Sequence, residues 1–172
     1  MLLAVVLTGC SNTTPSRVPA PASATYELGP RQVRPDETAL RLPAANNGDT
    51  VFTLIGLTTG IPTIVGSHAE WQAKGQYVRI RLVVTSTGRT SVLFDTRRQL
   101  LVDAKGTAAA PDDQAMLIKR QPDKFDLGAN VRVEFDLYYD IPKDAKPVAL
   151  RAFGGPTLTD LQNVTGTDIK LN

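Results

Sequence analysis

One cysteine and one histidine occur in 172 residues, and each scarcity closes a class of function. A lone Cys excludes an internal disulfide and any multi-cysteine metal site. A lone His, His68, leaves the usual three- or four-ligand zinc site short of donors and gives a Ser/His/acid triad a single position to use. Charge of one sign is scarce as well: 19 Lys and Arg stand against 17 Asp and Glu, a net +2. That excess is too small for the basic stripe that binds nucleic acid by counterion release, so no nucleic-acid partner is expected. The opening apolar run, Met1 to Leu7, falls far short of the roughly 18 residues a bilayer-spanning helix needs. What is present, 42% hydrophobic and 21% charged residues, is ordinary for one soluble globular domain.

The cysteine gains meaning from its position. Leu7-Thr8-Gly9-Cys10 resembles the lipobox of bacterial lipoprotein precursors: a branched apolar residue, two small residues that fit a signal-peptidase groove, and the thiol that takes a diacylglycerol. The resemblance implies cleavage before Cys10, a signal peptide over residues 1–9, and a membrane anchor at the acylated (palmitate-type) Cys10, with two or more chains giving stable attachment. The alternative makes Met1 to Val6 a buried strand and Cys10 a small core hydrophobe. No Lys or Arg precedes Cys10, so the charged start of the signal peptide is expected upstream of Met1. Residues 10–48 hold Pro15, Pro19, Pro21, Pro30, Pro35 and Pro43 among Ser, Thr, Ala and Asn. That composition reads as a tether, extending at about 3.1 Å per residue where polyproline geometry holds. Val33 and Leu40 to Leu42 are where it is expected first to touch the domain.

From residue 49 to 172 the hydrophobic period is two, with Gly and Pro turns at short intervals, the pattern of a sandwich or barrel. Over residues 76–86, Val78, Ile80, Leu82 and Val84 share one face and Tyr77, Arg79, Arg81 and Thr85 the other. Over residues 130–141, Val131, Val133, Phe135, Leu137, Tyr139 and Ile141 alternate with Arg132, Glu134, Asp136, Tyr138 and Asp140. Weaker strands are expected at 51–57, 61–65, 90–95, 99–103, 148–153 and 168–171. One short helix is expected after Pro111, with Asp112 and Asp113 at its start. Thr87-Gly88-Arg89, Lys105-Gly106 and Gly154-Gly155-Pro156 read as turns that need positive φ. Seven or eight short antiparallel strands make an all-β, immunoglobulin-like sandwich.

The run Trp71-Gln72-Ala73-Lys74-Gly75-Gln76-Tyr77-Val78, continuing into Leu82-Val83-Val84-Thr85-Ser86-Thr87-Gly88, resembles the DUF4352 family. So do Phe94, Gln99-Leu100-Leu101-Val102-Asp103 with Gly106, and the stretch from Leu127-Gly128 through Phe135-Asp136 to Ile141-Pro142. The resemblance spans residues 51–153. It implies a telokin-like immunoglobulin fold, similar to MPT63-like secreted antigens, in an extracytoplasmic lipoprotein of actinobacterial or other Gram-positive type. It brings no catalytic residues. Ser86 stands where the family commonly has Asn before the turn, which changes a side-chain hydrogen bond and not the fold.

Candidate sites are few. His68, in Gly66-Ser67-His68-Ala69-Glu70-Trp71, reads as an exposed loop residue. No G-x-S-x-G elbow supplies a nucleophile. Asp95, Asp103, Asp112, Asp113 and Asp123 lack EF-hand spacing and read as turn and helix-start residues. Gly154-Gly155 lacks the helix and Lys of a phosphate loop, and Asn163-Val164-Thr165 matches the glycosylation pattern by chance. Trp71 reads as a plug at one end of the sandwich. Tyr77, Arg79, Arg81, Arg132 and Tyr138 fall on the outward faces of the two strongest strands and make the expected partner-binding face, against the plainer reading of a solvated face with cross-strand charge pairs. No cofactor, no metal and no enzyme activity are expected. The functional expectation is a non-catalytic binding domain on a membrane tether, meeting a protein or other cell-envelope partner, with edge strands as a further docking surface. The alternatives are a carrier of an apolar ligand in a cavity lined by Phe52, Phe94, Phe135 and Leu137 and, remotely, a hydrolase.

Overall fold

The computed structural model describes residues 32–156 and 165–171. Cys10 and its lipobox, residues 10–31 of the expected tether, and Asn163 lie outside them.

The two strongest sequence patterns pair with each other, as alternation over ten residues demands. β4 (Glu70–Ser86) and β9 (Arg132–Ile141) run antiparallel without a slip from Gln76↔Ile141 to Thr85↔Arg132. A one-residue shift would turn every apolar side chain of the pair outward. β3 (Thr50–Val65) pairs along the other side of β4. It replaces the two strands expected at 51–57 and 61–65. Gly60 is a bulge point at φ +72 inside one continuous strand, and the register slips at three places between Leu54 and Thr63. β1 (Thr38–Ala39) and β2 (Ala45–Asn47) pair with the far edge of β3. They correct the boundary set at residue 49: part of the supposed tether is sandwich, and Leu40, Leu42 and Ala45 pack against the core.

The opposing layer has two pieces. One has the order β11 (Thr167–Lys170), β10 (Pro147–Ala152), β6 (Leu100–Asp103), β7 (Ala108–Ala109), and the other pairs β5 (Val92–Asp95) with β8 (Lys124–Leu127). β7 and β8 escaped the sequence reading, being too short or too polar to show alternation. Phe52, Ile80, Leu82, Leu137 and Tyr139 from the first sheet and Phe94, Leu101, Leu127, Leu150 and Ile169 from the second form one buried cluster. The chain is an antiparallel β-sandwich.

Two buried amides fasten the sandwich, Gln99 between the two pieces of the opposing layer and Asn47 from one layer to the other. Gln99, fully buried, donates from Nε2 to the Asp95 and Phe153 carbonyls at 2.9 and 3.0 Å and accepts the Phe153 N–H at 2.9 Å. Asn47 accepts the Gly154 N–H at 2.7 Å and donates to the Thr165 carbonyl and Thr167 Oγ1 at 2.9 and 3.1 Å. Two turn glycines act otherwise than expected. Gly106 and Gly155 do have positive φ, but Gly88 and Gly154 do not. There the constraint is proximity, since a Cβ on Gly88 would meet the Asp49 carboxyl at 2.7 Å and one on Gly154 the Asn47 carbonyl at 2.0 Å.

Candidate functional site

The outward face of β4 and β9, expected to meet a partner, is covered by the chain itself. Tyr77 is fully buried and Tyr138 is 3% exposed, while the side chains of Arg79 and Arg81 keep only 11% and 12% of their exposure. Arg132 alone of the five is exposed. The cover over the arginines is the strap of residues 32–42. A turn closed by the Glu37 N–H on the Arg34 carbonyl (3.0 Å) drives the Glu37 side chain into the sheet. There its carboxylate, fully buried, lies 3.3 Å from each of the Arg34, Arg79 and Arg81 guanidiniums and accepts the Arg34 N–H at 2.8 Å. Gly56 makes the room, because a Cβ there would stand 2.9 Å from the Glu37 carboxyl. Around this centre Arg34 reaches Asp136 (2.8 Å), Arg79 reaches Asp36 (2.9 Å) and Thr58 Oγ1 (3.0 Å), and Arg81 reaches Glu134 (2.5 Å).

Burial opposes the charge of Arg81, yet hydrogen bonds and attraction from Glu134 and Glu37 outweigh it and raise its pKa further. Tyr138 is pushed up by burial and the Asp136 charge, with Arg79 and Arg34 pulling the other way. Sequence reasoning missed Arg34, Asp36 and Glu37. The available signal was a cluster of three charges, Arg34-Pro35-Asp36-Glu37, inside a stretch otherwise poor in charge.

A second feature lies where β4 enters the sheet. Lys74, Gly75, Asp112, Asp140, Ile141, Pro142 and Lys143 line an open cleft of ≈ 550 Å³. Gly75 lets the strands close at its base, since a Cβ would fall 2.2 Å from the Ile141 carbonyl. The Asp140 carboxylate is held by the Lys74 and Gly75 N–H groups at 2.8 and 3.1 Å. Asp112 takes the helix-start role expected of it, capping α1 (Asp113–Ile118) by accepting the Ala115 N–H at 2.8 Å. Beside these carboxylates the Tyr77 hydroxyl is buried without a hydrogen-bond partner among the described residues. Burial, then the charges of Asp112 and Asp140, push its pKa up to about 12.

The remaining singled-out residues scatter. His68 is exposed between β3 and β4. Trp71, read as a plug, is 46% exposed, because the β3–β4 hairpin runs on past the end of β9 and no strand covers it there. Asp95 caps the 3-10 turn Thr96–Arg98, Asp103 accepts the Lys105 and Thr107 N–H groups in the turn at Gly106, and Asp123 pairs with Arg97 at 2.9 Å. No group of three or more His, Cys, Asp and Glu gathers to hold a metal among the described residues.

Neither a family model nor a curated protein matches the chain. The fold is similar to the crystal structure of the YjhA protein from Bacillus subtilis, with a TM-score of 0.56 over 76% of this chain and 97% of that one at 15% identity. At that identity the likeness concerns the fold alone, a small all-β one.

Proposed function

We propose that this chain is a non-catalytic binding module of the cell envelope. In this reading it is an immunoglobulin-like domain of DUF4352 type, held to the membrane through an acylated Cys10, that meets a polar protein or cell-envelope partner at the cleft beside Lys74. The observation that carries the reading is that cleft. Its volume lies in the range of roughly 300–1,000 Å³ usual for ligand sites. Its floor carries a carboxylate fixed by two backbone donors, and its wall carries Lys74 and Lys143. Trp71 and Val65, 46% and 52% exposed on the adjoining hairpin, add the apolar contact such interfaces use.

The apolar-carrier reading has less support. Phe52, Phe94 and Phe135, at most 5% exposed, occupy one another's space with ring centroids 5.9–6.0 Å apart, and neither Leu137 nor any of them lines the cleft. A Ser/His/acid hydrolase would have to work through His68, which is exposed between β3 and β4.

Two measurements test the proposal. Intact mass spectrometry of the protein from its native membrane should find a chain starting at acylated Cys10; a free thiol on a chain that retains Met1 refutes the anchor. A photo-crosslinking residue at Lys143 in living cells should give a discrete adduct that the same residue at Lys170, on the exposed face of β11, does not. Identical patterns at the two positions refute the binding site.

A further inference from the structure

Of the strap's residues before Leu40, Arg34 is partly covered and only Glu37 is buried; Gln32, Val33, Pro35, Asp36, Thr38 and Ala39 are exposed. Its backbone is held by few bonds. There is a two-residue pairing, Thr38↔Leu57 and Ala39↔Gly56. Beyond it are the Leu40 N–H on the Ile55 carbonyl at 2.9 Å, Thr58 Oγ1 on the Asp36 carbonyl at 3.0 Å and Arg81 on the Gln32 carbonyl at 3.1 Å. Once the ion pairs of Arg34, Asp36 and Glu37 let go, so few backbone bonds remain that the segment opens at a lower free energy than the sandwich unfolds. The socket it leaves keeps its shape. Arg81 stays held by Glu134 and Arg79 by Thr58, the hollow over Gly56 persists, and the β3 edge at residues 55–57 regains free backbone groups. Two guanidiniums beside an empty hollow and an open strand edge call for an extended segment with a carboxylate one residue before its pairing stretch.

We propose that this groove also accepts the strap of a second copy of the chain, whose Glu37 fills the carboxylate socket. The occupant is argued from fit: the segment seen in the groove matches it in charge, in the space over Gly56 and in strand register, and every other copy carries the same segment. Exchange is reciprocal, each copy giving one strap and receiving one, so the assembly closes as a two-fold dimer. Residues 41–44, between the paired part of the strap and β2, are the hinge. The proposal is independent of the cleft and of the anchor.

The test uses full chains carrying Cys10→Ser. A donor copy has Thr38→Cys with Arg79→Glu, so its own socket repels its Glu37. A receiver copy has Leu57→Cys with Glu37→Lys, so its own strap cannot seat. Thr38 and Leu57 face each other directly, within the Cα separation a disulfide spans. Oxidising the mixture should yield a disulfide-linked donor–receiver dimer, identified by mass. Adding Glu37→Gln to the donor should lower the yield by about tenfold, the factor that corresponds to ~1.4 kcal/mol. A second arm mixes Thr38→Cys and Leu57→Cys chains without the charge changes, which leaves folding intact, and should give the same product in smaller amount. A chain carrying both cysteines should close internally. If it does while neither mixture gives the mixed dimer, the strap docks only on its own sandwich and the proposal is wrong.

Discussion

Gln99 and Gln76 make similar hydrogen bonds in different surroundings, and the contrast predicts how much each is worth. Gln99→Leu keeps nearly the same volume but strips partners from the Asp95 and Phe153 carbonyls and from the Phe153 N–H, all satisfied by a fully buried side chain. Each orphaned buried group costs about 1–3 kcal/mol, and the leucine recovers part of this through apolar contact. The net loss should be about 3 kcal/mol, or roughly 6–12 °C in melting temperature for a chain of this size. Gln76 donates to the Pro142, Lys143 and Ala145 carbonyls at 3.3, 2.9 and 3.1 Å and accepts the Gly60 N–H at 2.9 Å. It sits at the surface, where water takes over these bonds, so Gln76→Leu should cost under about 1 kcal/mol. Urea unfolding of the two variants against the parent measures both numbers. Equal losses would refute the argument, because burial would then not decide the value of the bonds.

Other outcomes follow from the same structure. Gly75→Ala forces a Cβ to within 2.2 Å of the Ile141 carbonyl, so β4 and β9 must part there; a loss of about 2 kcal/mol or more and faster amide exchange at the edge of the cleft should result. Because the folded-state pKa of Tyr77 lies near 12 and the unfolded one near 10, the unfolded chain gives up its phenolic proton first. Stability should hold below the lower value and fall as pH rises between the two; denaturant midpoints that stay flat across that window would contradict the shift. Asp112→Ala removes the α1 cap, for about 1 kcal/mol, and one of the charges raising Tyr77, so phenolate absorbance should appear at lower pH. Ser86 Oγ is buried without a partner, so Ser86→Ala should be neutral or slightly stabilising in the same unfolding assay.

The sandwich was legible because its central strands obey a strict period of two. Ten aligned pairs along β4 and β9 follow from the alternation of Val78 to Val84 against Val133 to Ile141. The helix was legible from Pro111 and two aspartates. Short pairings were not: β7 holds two alanines and β8 reads Lys-Phe-Asp-Leu, so their pairing is decided by neighbours distant in sequence. The outward face misled for a related reason. Alternation says which side chains leave the core, but it does not say whether another segment lies on top. A proline-rich composition argued for a free tether over residues that a single carboxylate, Glu37, fastens to the sheet.

The Asn47 clasp bears on the order of folding. Two of its partners, Thr165 and Thr167, stand 118 and 120 positions further along the chain, and β10 pairs with a strand that ends at Lys170. A chain still emerging from the machinery that makes or threads it cannot complete the Asn47 clasp until Thr165 and Thr167 have appeared. Completion should therefore be late and slow, as for folds ruled by contacts remote in sequence, and removal of β11 should be felt in β2, far from it in sequence and in contact with it in the fold.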